Sequence, residues 1–265
     1  MPTLLEPLVK STSSVRSITT VMQVQVSIQD RIFLIASRVV CKAIAFKSLL
    51  NKKGAIYVKQ SQSQKELLGR ATSKYAESIS LAEDYLASRG ITKEAARLAR
   101  LGVVEEPEPG HEQYTGRLSI PYITKTGVVD LRFRSLNPAV EPKYMGMVGA
   151  DTRMYNVLDI EYAGDWIGVC EGELDTLTMS RLVGIPCVGV PGANSWKKHY
   201  TRLLADFERV FVFADGDAPG REFAASLSRE LPVTTITFGD GEDVNSAYIK
   251  YGAGFIKEKM GLNID

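Results

Sequence analysis

The sequence predicts an α/β protein, a parallel sheet flanked by helices, preceded by a small mixed α+β basic subdomain. From Trp166 onward, short apolar β-branched runs alternate with helix-like segments, the pattern of a parallel sheet buried on both faces. Two of these runs, Trp166 to Cys170 and Val210 to Ala214, lead directly into acidic motifs, Glu171-Gly172-Glu173-Leu174-Asp175 and Asp215-Gly216-Asp217. Side chains at the carboxyl ends of parallel strands converge on one edge, where such sheets hold ligands. A charge gradient marks off what precedes them. Residues 1–60 carry nine Lys/Arg against two Asp/Glu, 61–160 carry thirteen of each, and 161–265 carry ten against sixteen, within a net charge of +1. A basic front and an acidic back suit a protein that holds a polyanion at one place and a metal at another.

The 265 residues suffice for one large or two small domains. We divide them into a basic arm over 1–70, a basic subdomain over 71–160 and an acidic α/β domain with a short helical tail over 161–265. In the arm, residues 1–20 are polar and aperiodic, and 21–26 alternate as a short strand does. Residues 31–50 are apolar, but Arg31, Arg38, Lys42 and Lys47 forbid a membrane span and suggest a basic amphipathic helix. No secretory signal fits, whereas the composition leaves a transit peptide open. A turn over 51–54 then leads to a strand over 55–58.

In the basic subdomain, Ala71 to Ser88 reads as one helix, with Tyr75, Ile79, Ala82 and Leu86 on one face, stopped by Arg89-Gly90. Thr92 caps a second helix through Arg100, with Gly102 at its C-terminal end. Two strands follow, Leu118 to Ile123 and Val128 to Phe133, in which Arg132 and Arg134 share a face. In the last domain, Leu174 to Leu182 and Arg221 to Leu231 are helices, Cys187 to Val190 and Val233 to Phe238 are strands, Ser195 caps a helix to Leu204, and Asn245 caps one to Tyr251. Pro191-Gly192-Ala193-Asn194 is either a plain turn or a backbone approach to phosphate.

Three cysteines, Cys41, Cys170 and Cys187, and the separated His111 and His199 give no zinc-ribbon ligand set, and a reducing cytoplasm is the natural compartment. Clustered carboxylates at strand ends repel one another unless a divalent cation sits between them, and Mg²⁺ prefers hard oxygen ligands.

Glu171-Gly172-x-x-Asp175 followed by Asp215-Gly216-Asp217-x-x-Gly220-Arg221 resembles the Toprim domain of bacterial-type primases, topoisomerases and some nucleases. The form Glu171-Gly172-Glu173-Leu174-Asp175-Thr176-Leu177 is most similar to phage primases. Upstream, Tyr85-Leu86-x-x-Arg89-Gly90-Ile91, Gly116-Arg117-Leu118-x-Ile120-Pro121, Pro142-Lys143-Tyr144 and Met154-Tyr155-Asn156 stand in the order of the primase core. Asp240-Gly241-Glu242-Asp243-Val244-Asn245 is similar to the family's Lys-Asp-x-Asn motif, with Glu242 where Lys is usual.

The resemblance implies a Toprim parallel sheet and a DNA primase that copies single-stranded DNA from nucleoside triphosphates with Mg²⁺ or Mn²⁺ and without zinc. It implies a replicative helicase on a separate chain and no membrane partner. Glu171, Asp215 and Asp217 become the catalytic residues, with Asp175 and Asp243 joining them as metal ligands. Glu171 either ligates metal or acts as general base; Asp175 either binds metal or orients Arg221. Arg134 and Lys143 become the leading nucleotide or template contacts, with Arg117 and Arg132 behind them. Tyr144 either stacks on a base or belongs to the core. The alternatives are a Toprim-type nuclease and a non-catalytic DNA-binding or helicase-associated module.

Overall fold

A computed structural model describes residues 61–192 and 195–262, which lie within one compact unit. The expectations for the 1–60 arm, and for positions 193–194, lie outside the described residues. Helix α1 spans Gln62–Glu77, entered through a capping box in which Ser61 and Gln64 exchange hydrogen bonds. The expected single helix from Ala71 to Ser88 is instead broken at Ser78, followed by a 3₁₀ turn Ile79–Ala82 and α2, Glu83–Ser88. The break has a packing reason. Tyr75 of α1 is buried against Phe133 and Val104, whereas Ala82 and Leu86 are buried against Leu174 and Leu177, so one straight helix could not serve both cores.

Thr92 caps α3, Lys93–Leu98, as expected, through a bond from Ala95 N to its hydroxyl. The helix ends with Arg100 at φ 53°, and Gly102 starts strand β1, Gly102–Val103, rather than ending the helix. Strands β2 (Leu118–Thr124), β3 (Gly127–Arg134) and β4 (Tyr144–Gly146) complete an antiparallel sheet in the order β1-β2-β3-β4. Alternation along β3 sends Leu131 and Phe133 into the core under α1, while Arg132 and Arg134 leave by the other face. Ile120 and Leu118, opposite those arginines in register, are buried with Leu174 and Leu177.

After the short helix α4 (Asp159–Tyr162), the second sheet is parallel, with β5 (Trp166–Cys170), β6 (Cys187–Gly189), β7 (Arg209–Phe213) and β8 (Val233–Ile236) in the order β6-β5-β7-β8. It is sandwiched as its apolar runs predict. Ile167, Val169, Val210 and Val212 face one core with Leu204 and Leu227, and Cys170, Phe211 and Phe213 face another with Val244 and Ile256. Helix α5 (Glu173–Leu177) runs on into a π-helical turn, Thr178–Val183. It is followed by α6 (Lys198–Leu204), α7 (Ala218–Ser228) and α8 (Val244–Lys259). Ser195 does not cap α6; its hydroxyl donates to Pro191 O at 2.7 Å. Asp243, not Asn245, caps α8, in a capping box with Ser246.

The first turn of α5 pins the two sheets together. Glu173 is 1% exposed and accepts from Tyr122 Oη at 2.7 Å and Arg132 Nη1 at 2.8 Å. Truncating Glu173 to Ala leaves a guanidinium and a phenol facing apolar surface. We expect a loss of about 3–5 kcal/mol in urea unfolding, the range for breaking a buried pair, with partial recovery in the Glu173→Ala/Arg132→Met double variant. A loss below about 0.5 kcal/mol, the size of a surface effect, would show that the pair does not hold the seam.

Candidate active site

The chain moves from β5 to β6 on one side and then to β7 on the other, so the crevice outside the carboxyl ends of β5 and β7 is a topological switch point. Cys170 pairs with Phe213, so Glu171 and Asp215 emerge at nearly the same level. The Glu171 carboxylate lies 3.4 Å from the Asp215 amide that donates to it. The glycines between and after the aspartates are steric requirements. A Cβ on Gly216 would stand 1.9 Å from Gly239 O, and one on Gly220 would stand 2.3 Å from Asp215 O and 2.8 Å from Glu171 Oε1. Asp217 begins α7 and accepts from Gly220 N at 2.8 Å.

Asp175 and Asp243 enter from α5 and the start of α8. Asp175 Oδ1 accepts from Asn245 N at 3.0 Å, and Asp243 Oδ1 accepts from Ser246 N at 2.7 Å. Asn245 is 1% exposed. Its amide donates to Arg89 O at 2.7 Å and Thr178 Oγ1 at 2.9 Å, tying the Arg89-Gly90 turn to the start of α8 and the turn after α5.

These acids disturb one another. Burial, then the Glu171, Asp243 and Asp217 charges, push the Asp215 carboxyl up to about 7, with Lys143 working against them. Burial raises Glu171, and Asp217 and Asp175 add to it. Asp175 is likewise raised, first by burial and then by Asp243 and Asp215. Among the described residues no group of three or more His, Cys, Asp or Glu is already arranged as a metal cage. The donor chemistry nevertheless fits a hard divalent cation, because oxygen donors whose ionisation is opposed by their neighbours gain most from a positive charge placed among them.

Facing them is a basic wall, and the cleft between holds about 250 Å³. Its lining joins Glu171, Asp175, Asp215 and Asp243 to Arg89, Arg132, Arg134 and Lys143, and includes Tyr144 and Pro191–Gly192. Of the expected site residues, Asp217 and Arg117 are not in the lining. Asp217 caps α7, and the Arg117 guanidinium donates to Pro142 O at 2.8 Å. Arg132 lines the cleft, but its charge is paired with Glu173. Arg134 is 6% exposed, donates to the Tyr144 hydroxyl, and lies over the Tyr144 ring at 4.8 Å and the Tyr85 ring at 5.4 Å. Lys143 is exposed at the rim. Arg89 was not foreseen as a site residue, and neither was Asn245. The signal for both was slight: an Arg-Gly helix stop, and an Asn at the first turn of a helix it does not cap.

A group whose folded pKa lies above its unfolded value adds stability below the unfolded value and loses it as pH rises through the folded one. Asp215, raised from the ordinary carboxylate range to about 7, should therefore weaken the metal-free protein as pH rises from about 4 to about 7. In EDTA, Asp215→Asn is expected to melt near the parent at about pH 4 and above it at about pH 8. Millimolar Mg²⁺ should raise the parent's Tm at pH 8 but not the variant's. Parallel pH profiles for the two proteins would contradict the assignment.

Comparison with known proteins agrees with this fold. A family described as Toprim-like matches residues 168–248. The gene 57 protein of Mycobacterium phage D29 is 39% identical over 153 residues, covering 56% of this chain and 99% of that protein. The RNA polymerase domain of Mycobacterium tuberculosis primase DnaG superposes with a TM-score of 0.64 at 21% identity, over 76% of this chain and 84% of that one. A DnaG primase catalytic domain bound to single-stranded DNA gives 0.63 at 20% identity, over 76% and 81%. No helix among the described residues is long and apolar enough to cross a membrane. The chain thus belongs to the same family as the phage D29 gene 57 protein and is a Toprim-domain protein with the fold of the bacterial primase catalytic core.

Proposed function

We propose that this protein is a DNA primase, synthesising short RNA primers from nucleoside triphosphates on a single-stranded DNA template in phage or bacterial DNA replication. Residues 71–160 act as the nucleotide- and template-holding part and 161–265 as the catalytic part. The observation that carries the reading is the cleft itself, in which the arginine face of an antiparallel sheet looks onto the acidic switch point of a parallel one.

Glu171, Asp175, Asp215 and Asp243 would hold Mg²⁺ or Mn²⁺, with Asp217 acting through Asp215. A bound divalent cation supplies charge neutralisation and alignment for in-line displacement at phosphorus. Arg134 and Arg89 present fixed guanidinium planes suited to phosphate oxygens, and Lys143 at the rim offers a mobile charge for template or the outer phosphates. Glu171, held against the Asp215 backbone, is placed to receive a proton from an attacking hydroxyl when it is not itself a metal ligand. Pro191–Gly192 closes the acidic side, Gly192 N donating to Glu171 O at 3.2 Å. A replicative helicase on a separate chain is the partner we assign, and the infected or bacterial cytoplasm the compartment.

The test is a primer-synthesis assay on single-stranded DNA with labelled ribonucleoside triphosphates and Mg²⁺ or Mn²⁺, alone and with a candidate helicase. Short RNA should form, and Asp215→Ala should reduce it by at least about a hundredfold, the scale of losing electrostatic stabilisation at a reacting phosphate. Lys143→Ala should raise KM for triphosphate by about tenfold, the loss of one charge-assisted contact, with a smaller change in kcat. Degraded template without synthesis would replace this reading by a nuclease. No activity in any condition would replace it by a binding module.

A further inference from the structure

Opposite charges that face each other across so small a cleft should collapse into ion pairs, because Coulomb attraction at contact distance is strong where water is partly excluded. Here they do not. Among the described residues, Arg89, Arg134 and Lys143 form no ion pair with Glu171, Asp175, Asp215 or Asp243, and the one pair in the lining is Arg132–Glu173, on the seam. The arginines are held by aromatic rings and neutral polar groups instead, Arg134 also donating to the Tyr144 hydroxyl. Arg132 lies 4.8 Å over Tyr144, Arg134 lies 4.8 Å over the same ring and 5.4 Å over Tyr85, and Arg89 lies 6.0 Å over Tyr85. The result is an alternating ladder, Arg132–Tyr144–Arg134–Tyr85–Arg89. Its two ends are fastened to the Toprim side, Arg132 to Glu173 at 2.8 Å and Arg89 to Asn245 Oδ1 at 3.3 Å.

Two buried polar atoms show where the ladder leaves capacity unused. Arg134 Nε has no hydrogen-bond partner, and the Tyr85 hydroxyl, buried beside the Arg89 and Arg134 guanidiniums, is likewise left without a full hydrogen bond. A guanidinium stacked on a ring keeps its in-plane N–H groups available.

We propose that Tyr85 is a positioning residue: its ring holds Arg134 and Arg89 off the carboxylates, and so keeps the acids free for a divalent cation. Without the ring, Arg134 would swing onto Asp175 and Asp215 and compete with the metal for the same oxygens. The idea rests on the metal-binding part of the proposed function, but its test needs neither template nor nucleotide.

In the full chain, Mn²⁺ affinity is measured by EPR titration, and the arginine Nε–Hε signals by ¹⁵N NMR, for the parent, Tyr85→Phe and Tyr85→Leu. Ring currents should shift the Arg134 and Arg89 Hε signals upfield in the parent and in Tyr85→Phe. In Tyr85→Leu they should return to the ordinary region, and Mn²⁺ should bind about fivefold more weakly, the scale of one lost cation–π contact. Adding Arg134→Gln to Tyr85→Leu should restore Mn²⁺ binding, which a merely structural role would not do. Should Tyr85→Leu fail to fold, Tyr85→Met carries the same comparison. The proposal is overturned if Tyr85→Leu binds Mn²⁺ like the parent, if Tyr85→Phe falls with it, if the second substitution rescues nothing, or if the parent binds no Mn²⁺. Failure of primer synthesis with these results intact would remove the primase reading alone.

Discussion

Repulsion among carboxylates is the constraint around which this cleft is built. A parallel sheet with a switch point brings the ends of β5 and β7 together whatever residues occupy them, and here both ends carry acids. The fold therefore accepts a local cost: burial first, and the neighbouring carboxylates after it, raise the titration of Glu171, Asp175 and Asp215. It limits that cost by using the acids' second oxygens and neighbours structurally. Asp217 and Asp243 cap helices, where an anion is favoured, and Asp175 accepts a backbone amide from the start of α8. The charges that remain uncompensated are the ones that face the cleft.

Much of this was readable from residue order. The strand limits Trp166 to Cys170 follow directly from the apolar run, whereas the close backbone approach that excludes a side chain at Gly216 and Gly220 is seen only in the structure. The pairing of Arg132 and Arg134 on one face follows from strand periodicity. What local sequence does not contain is which surface each side chain meets. The stretch from Ala71 to Ser88 has helical periodicity throughout, and only the presence of two separate cores decides that the chain must break at Ser78. Arg117 looks like its neighbours in charge and spacing, yet a carbonyl in the 135–143 loop captures it. Asn245 carries only a slight local signal, an Asn in a first helical turn, because its partners Arg89 and Thr178 are set by tertiary contact.

The acids Glu171, Glu173 and Asp175 illustrate how secondary structure sorts identical chemistry. Spaced by two, they would share one face if the strand continued, and all three would join the cluster. The helix instead begins at Glu173, and its residues turn about 100° each, which sets Glu173 and Asp175 on nearly opposite sides. Asp175 goes to the cleft edge, and Glu173 goes to the buried seam, where Tyr122 and Arg132 receive it. The same switch from period two to period 3.6 thus separates an acid that can meet a ligand from an acid that fastens the two sheets. It also decides the fate of the arginines. Arg132 is anchored by the seam acid, and through the Tyr144 ring that anchor reaches Arg134, so the position of one carboxylate outside the metal cluster governs how the opposing wall of the cleft is held.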